Sequence, residues 1–246
     1  MTATPAWPPK SLPRLFVGAD LSVGAAVELN SAQANYLGNV LRREVGNQVL
    51  IFDGTTGEWL ARIAHVGKKR MMLAVVEQVR AAEILPDLIL AFAPVKRSQT
   101  DWLVEKATEL GVAALQPVMT QRTVAERVKL ERLRAIAIEA AEQCGRTVLP
   151  RIADPVPLTQ LLASRESGRA LYFADENGGA PVASALKPGA AMILIGPEGG
   201  WADQERAEVR SAPSAVAISL GPRILRAETA ALAAVTAYMA LAGDWR

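Results

Sequence analysis

Ala191-Met192-Ile193-Leu194-Ile195-Gly196-Pro197-Glu198-Gly199-Gly200-Trp201 runs five apolar residues into a loop rich in glycine. An unbroken apolar run of this length reads as a strand buried on both faces, the kind found inside a parallel sheet. A second stretch repeats the design: the strand-like Ala215–Leu220 leads into Gly221-Pro222-Arg223-Ile224-Leu225-Arg226. Glycines lack a Cβ, so such a backbone can approach a flat ligand closely and read an adenine edge with its N–H and C=O groups. Each loop alone is an ordinary β–α turn. Two Gly-Pro loops of similar make-up, at the end of a sheet where α/β folds collect their ligands, point to a site.

Outward from these loops the pattern continues. Leu88–Val95 is another continuous apolar run, followed by a helix that Ser98 can cap and Gly111 can end. Ala114–Met119 and Ala170–Ala174 read as further strands. Leu130–Cys144 reads as a helix with Leu133, Ala137, Ala140, Ala141 and Cys144 on one face, and Glu228–Leu241 as the closing helix. Strands alternating with helices imply an α/β fold with a mainly parallel sheet.

Before residue 80 the rhythm differs. Leu15–Val17, Gln48–Phe52, Trp59–Ile63 and Met71–Val76 are short strand-like runs broken by turn residues, with a helix expected over Ser31–Arg43. The expectation is a small β-rich barrel or sandwich over residues 1–80, carrying basic residues at its edges, and an α/β domain over 81–246. The first thirteen residues hold four prolines and are expected to lie extended.

Composition narrows the class. The chain has 246 residues, half of them hydrophobic, and a net charge of only +2. Nucleic-acid binding would therefore rest on local clusters of Lys and Arg rather than on bulk charge. Cys144 is the single cysteine, which excludes an intrachain disulfide and suits a reducing cytosol. The start lacks the apolar segment of a signal peptide, and no apolar run reaches the length of a membrane span. Neither G-x-G-x-x-G nor a P-loop occurs, and the lone His65 excludes the two-histidine zinc motifs, so no metal is expected. Cys144, on an apolar helix face, reads as a core residue rather than a nucleophile.

Several blocks, in order, carry a resemblance: Lys96–Trp102, Lys106–Val112, Glu139–Arg146, Ile195–Gly200, and Leu220–Arg226 followed by Ala227-Glu228-Thr229-Ala230. With Arg14–Val17 and Val40–Arg42 they resemble the RsmE family over nearly the whole chain. Cys144 stands where the family usually has serine. The resemblance implies a PUA-like N-terminal RNA-binding domain and a C-terminal SPOUT domain with a trefoil knot; from physics alone an unknotted sheet would be expected. It further implies a cytoplasmic homodimer that uses S-adenosyl-L-methionine to methylate N3 of a uridine in 16S rRNA, the family target being uridine 1498, within the assembled small ribosomal subunit.

On that footing, backbone groups of Ile195, Gly196, Pro197, Glu198, Gly199 and Gly200, and of Leu220, Gly221, Ile224 and Leu225, are expected to grip the adenosine. Leu171 or Phe173 would lie beneath it. Arg226 is the candidate facing the target nucleotide, and Glu198 or Glu228 could take the N3 proton. Glu228 could equally pair with Arg226 at the helix start. Arg14, Arg42, Arg122 and Arg146, and more weakly Lys68-Lys69-Arg70, are the candidate phosphate contacts. Another SPOUT activity on ribose or tRNA, a non-catalytic RNA-binding assembly factor and a metabolic nucleotide enzyme remain alternatives.

Overall fold

The computed structural model describes residues 12–67, 70–124 and 127–245, and groups them into two units. One comprises Met1–Ile84 with Ala141–Leu149; the other comprises Leu85–Ala140 with Pro150–Arg246. The expected extended start and Lys68-Lys69 fall outside the described residues.

In the first unit, β1 (Arg14–Phe16), β2 (Ala26–Leu29), β3 (Gln48–Phe52), β4 (Gly57–Val66) and β5 (Met71–Ala81) form a mixed sheet. Its order is β1-β3-β4-β5-β2, parallel between β1 and β3 and antiparallel elsewhere. Alternation along the strands buries Val49 and Ile51, Ala61 and Ile63, and Leu73 and Val75 in one cluster with Leu15, Val27 and Leu37. A helix α1 (Ser31–Asn35) starts on a capping box, in which the Asn30 side chain accepts from the Gln33 amide at 2.9 Å. The expected helix over Ser31–Arg43 is shorter: it passes into a π-helical turn at Tyr36–Val40, and Arg42 takes φ 52°, a left-handed conformation that cannot continue a helix.

Arg14 and Arg146 do not face solvent, which corrects the expectation that they bind RNA. Arg14 is only 8% exposed. It is ion-paired to buried Glu58, donates to the carbonyls of Ala141 at 2.5 Å and Arg146 at 2.8 Å, and lies 4.4 Å over the Phe52 ring. Arg146 is likewise buried and donates to the Val148 carbonyl. Arg42 remains exposed, as does Arg70, 3.5 Å from Glu28. His65 lies exposed on β4, and Cys144 is half-buried and forms no disulfide.

The second unit holds β6 (Leu88–Phe92), α2 (Arg97–Glu109), β7 (Ala114–Met119) and α3 (Leu130–Cys144), whose last turn groups with the first unit. It continues with β8 (Arg151–Ile152), β9 (Val156–Pro157), α4 (Leu158–Ser164), β10 (Ala170–Ala174), β11 (Ala180–Pro181) and α5 (Val182–Ala185). It closes with β12 (Ala191–Ile195), α6 (Asp203–Ser211), β13 (Ala215–Ser219) and α7 (Ala227–Leu241). The sheet order is β11-β13-β10-β12-β6-β7-β8, with β9 beside β7, and the pairings are parallel.

Both faces of this sheet are covered, as the apolar runs require. Ala191, Ile193 and Ile195 of β12 join a cluster with Leu103 of α2 and Ala231, Ala234 and Tyr238 of α7. Met192 and Leu194 join the opposite cluster with Leu158 and Leu161 of α4 and Val209 of α6. Each fully buried large aliphatic or aromatic side chain contributes about 1.5–3 kcal/mol relative to exposure. Helix α2 begins one residue before Ser98: Lys96 occupies the cap position, and the Ser98 hydroxyl donates to the Gln99 side chain instead. No described helix is long and apolar enough to cross a membrane.

Candidate active site

Strands β13, β10, β12 and β6 are successive neighbours and all parallel, so the loops that follow them emerge side by side. These loops bound a cleft of about 980 Å³. Its walls are the stretch from Ile195 to Trp201 after β12, Ser219 to Ala227 after β13, Ala174, Asp175, Glu176 and Gly178 after β10, and Lys96 and Gln99 after β6. Of the cofactor residues expected from sequence, Ile195 to Gly200, Leu220, Gly221, Ile224 and Leu225 therefore share one cleft. So do Glu198 and Arg226, both exposed there.

Leu171 and Phe173 do not line it. They are the two β10 residues that face the cluster under α4 and α6, and both are at most 1% exposed. Glu228 is also absent from the cleft wall. It is buried in the first turn of α7, where a carboxylate is favoured by the helix dipole, with its Oε2 lacking a hydrogen bond among the described residues. No ion pair joins it to Arg226 among those residues; Arg226 instead occupies the cap position of α7, its carbonyl accepting from the Ala230 amide at 2.8 Å.

The cleft floor is held by close packing and hydrogen bonds. Trp201 is 1% exposed and its ring N–H donates to the Ala174 carbonyl at 3.1 Å, tying the β12 loop to the end of β10. A Cβ on Gly196 would come within 2.9 Å of that ring, so only glycine fits. Gly221 has φ 111° and open space where a Cβ would stand, leaving bare backbone on the cleft wall. Arg122 donates to the Gly199 carbonyl at 2.8 Å and fixes the outer edge of the loop. Buried Glu205 accepts from the Gln121 amide at 2.8 Å and the Ala202 amide at 3.3 Å, joining the turn after β7 to the start of α6.

Asp175 and Glu176 are functional candidates that reasoning from the two Gly-Pro loops missed. The Asp175 side chain is fully buried, gripped by Arg210 at 2.6 Å and Arg206 at 3.2 Å. Glu176 lies exposed, paired with Arg206 and facing Gly200. The signal was available in Asp175-Glu176-Asn177-Gly178, a third Gly-containing loop after a buried strand. The cleft thus offers apolar walls, bare backbone amides and carbonyls, carboxylates and three exposed cations, Lys96, Arg223 and Arg226. This donor set suits a ligand combining a flat heterocycle, a ribose and a zwitterionic tail. Among the described residues no group of three or more His, Cys, Asp or Glu could hold a metal.

Comparison with known proteins agrees with this geometry. Residues 83–239 match a family model described as RNA methyltransferase domain, and residues 29–74 match one described as RNA methyltransferase PUA domain. A ribosomal RNA small subunit methyltransferase E of Synechocystis is 36% identical, covering 93% of this chain and 77% of that protein. Its counterpart in Rickettsia conorii is 32% identical, covering 90% and 93%. The crystal structure of a ribosomal RNA small subunit methyltransferase E from Neisseria gonorrhoeae, bound to S-adenosyl methionine, superposes with a TM-score of 0.89 at 32% identity, covering 96% of this chain and 100% of that one. With both domain models matched and relatives aligned over nearly its whole length, the chain belongs to the RsmE family of RNA methyltransferases.

Proposed function

We propose that this chain is an S-adenosylmethionine-dependent methyltransferase of small-subunit ribosomal RNA, acting on N3 of a uridine in 16S rRNA. The observation that carries the reading is the single cleft formed by the glycine loops after β12 and β13, with Arg226 and Glu198 on its wall. When bound, S-adenosylmethionine supplies a methyl group on a positively charged sulfur, open to attack by a nucleophile.

The protein's own contribution is mainly positional. Backbone groups from Ile195 to Gly200 and Leu220 to Leu225 hold the adenosine, and Glu176 stands beside Gly200 where a ribose hydroxyl would find an acceptor. N3 of uracil carries a proton at neutral pH, so a base must take it as the new bond forms. Of the three carboxylates on the cleft, Asp175 and Glu176 are paired with Arg206 and Arg210, so Glu198 is assigned that role; buried Glu228, outside the cleft, is not. Arg226 faces the target nucleotide, countering negative charge on the uracil or holding its phosphate. Since N3 lies on the Watson–Crick edge, the uridine must be unpaired or flipped out.

Residues 1–80 serve as the RNA-binding domain and 81–246 as the catalytic domain, with Arg42 and Arg122 as phosphate contacts. The site operates in a cytoplasmic homodimer on the assembled small subunit; a sedimentation mass of one chain would contradict the dimer. The loops after β12 and β13 are the place for a trefoil knot, which an experimental trace of residues 195–226 without threading would contradict. The reading is tested by calorimetric titration with S-adenosylmethionine beside Gly221→Val, a strained and cleft-filling change. Binding by the wild type that is lost in the variant supports it. No binding by the wild type favours a non-catalytic RNA-binding factor.

A further inference from the structure

A second, smaller cavity of about 370 Å³ opens beside the N-terminus of α2. Its floor is apolar: Pro94 and Val95 of the loop after β6, Val128 just before α3, and Leu133 in the first turn of α3. The floor is pinned by Thr100, whose buried hydroxyl donates to the Val95 carbonyl at 3.1 Å and accepts from the Val95 amide at 3.2 Å. The rim is basic. Arg97, Arg127 and Lys129 are exposed around it and have no ion pair among the described residues. Asp101, the one acid among the described residues that line it, is already offset by a two-pronged bond from Arg132, at 2.9 Å from Nε and 2.6 Å from Nη2. Lys96 alone lines both this cavity and the large cleft.

We infer that this cavity receives the flipped-out uridine nucleotide of the substrate RNA, and that Lys96, on the boundary between the two cavities, hydrogen-bonds the uracil at the moment of methyl transfer. The inference rests on the functional reading given above and adds to it the seat of the target base and a catalytic side chain. A pyrimidine has apolar faces and a polar edge, and is linked to phosphates; the cavity has an apolar floor and a ring of cations, and lies at the small end of the roughly 300–1,000 Å³ range of ligand pockets. The adjoining cleft is where the methyl donor belongs, so the edge of a base seated here is presented to it across Lys96.

The chemistry balances without another reactant. N3 gives its proton to the Glu198 carboxylate, and the N3 lone pair forms the new N–C bond to the methyl carbon. The C–S bond breaks, its electron pair stays on sulfur, and the neutral thioether S-adenosylhomocysteine leaves. While N3 is losing its proton, negative charge spreads onto O2 and O4. An ammonium held at one of these oxygens lowers the barrier, and removing one such donor typically costs about 10²–10³ in kcat. Lys96 keeps its own proton throughout.

The test uses the full-length protein with small subunits lacking the modification. It compares the wild type with Lys96→Met, Lys96→Arg and Val128→Trp, which fills the second cavity from a half-buried position. Product is mapped by mass spectrometry, and S-adenosylmethionine affinity is measured separately by calorimetry. Lys96→Met should lose about 10²–10³ in kcat, with cofactor Kd within a few fold. Its rate should keep rising with pH after the wild type has levelled, because hydroxide then helps to form the uracil anion. Lys96→Arg should recover part of the loss. Val128→Trp should raise KM for the particle at least tenfold and leave cofactor Kd unchanged. Wild-type rates and KM in Lys96→Met and Val128→Trp, with the wild type making N3-methyluridine, would overturn this inference alone. Loss of cofactor binding in Lys96→Met would also overturn it, by placing Lys96 in the cofactor site. Absence of product from the wild type would overturn the functional reading and this inference with it.

Discussion

The indole of Trp201 lies against the α-carbon of Gly196, so that any Cβ at Gly196 would stand 2.9 Å from the ring. Trp201 cannot yield, because it is buried and its N–H is bonded to the Ala174 carbonyl. Gly196→Ala should therefore cost about 1–3 kcal/mol through overpacking, and displace the loop that forms the cleft wall. Thermal unfolding should show a lower Tm and calorimetry a weaker cofactor Kd. An unchanged Tm would mean that the loop and ring can separate without cost.

Arg14 and Arg42 should behave as opposites. Arg14→Ala leaves buried Glu58 without its closest partner and strips donors from the carbonyls of Ala141 and Arg146, which should cost about 3–5 kcal/mol. Arg42→Ala should leave stability nearly intact and weaken RNA binding uniformly, lowering the salt dependence by roughly one counterion. Denaturant melts and salt-dependent filter binding on both variants would check this. A stable Arg14→Ala with a reduced salt slope would reverse the two assignments.

Acid should loosen the turn at Asp53. Burial pushes its carboxyl up, but bonds from Thr56 (Oγ1 at 2.6 Å, amide at 2.7 Å) and the Thr55 amide at 2.8 Å outweigh this and hold it below the usual value. A carboxylate depressed in the folded state stabilises fully above its unfolded pKa of about 3.9. That contribution is lost as pH falls through the lower folded value. The stability difference between the wild type and Asp53→Asn should be constant near neutrality and shrink below about pH 4. A difference that grew as pH fell would contradict it.

Much of the catalytic unit was legible in the sequence because its strands are buried on both faces. Gln116 aside, Ala114–Met119 reads as apolar throughout, as do Ala170–Ala174 and Ala191–Ile195, and the strands have those bounds. Helix α6 was not legible, since only Glu205 and Val209 of its nine residues are buried and the rest give no periodic signal. The two-residue strands β8, β9 and β11 exist only through pairing with a neighbour. The same limit explains Arg14: it looks like any basic residue at a strand edge, and its burial depends on Glu58 and on carbonyls more than a hundred residues away. Lys96 and Glu176 entered the cleft through sheet order, because β6 and β10 flank β12. That order is set by packing between distant segments, which local pattern does not encode.

The most direct test of the central claim is to incubate the wild type and Arg226→Ala with S-adenosylmethionine and unmodified small ribosomal subunits. The RNA is then digested and its nucleosides identified by mass spectrometry. One N3-methyluridine per 16S rRNA from the wild type, and none from Arg226→Ala despite retained cofactor binding, is the predicted result. Methylation of a ribose or of another base by the wild type would contradict it.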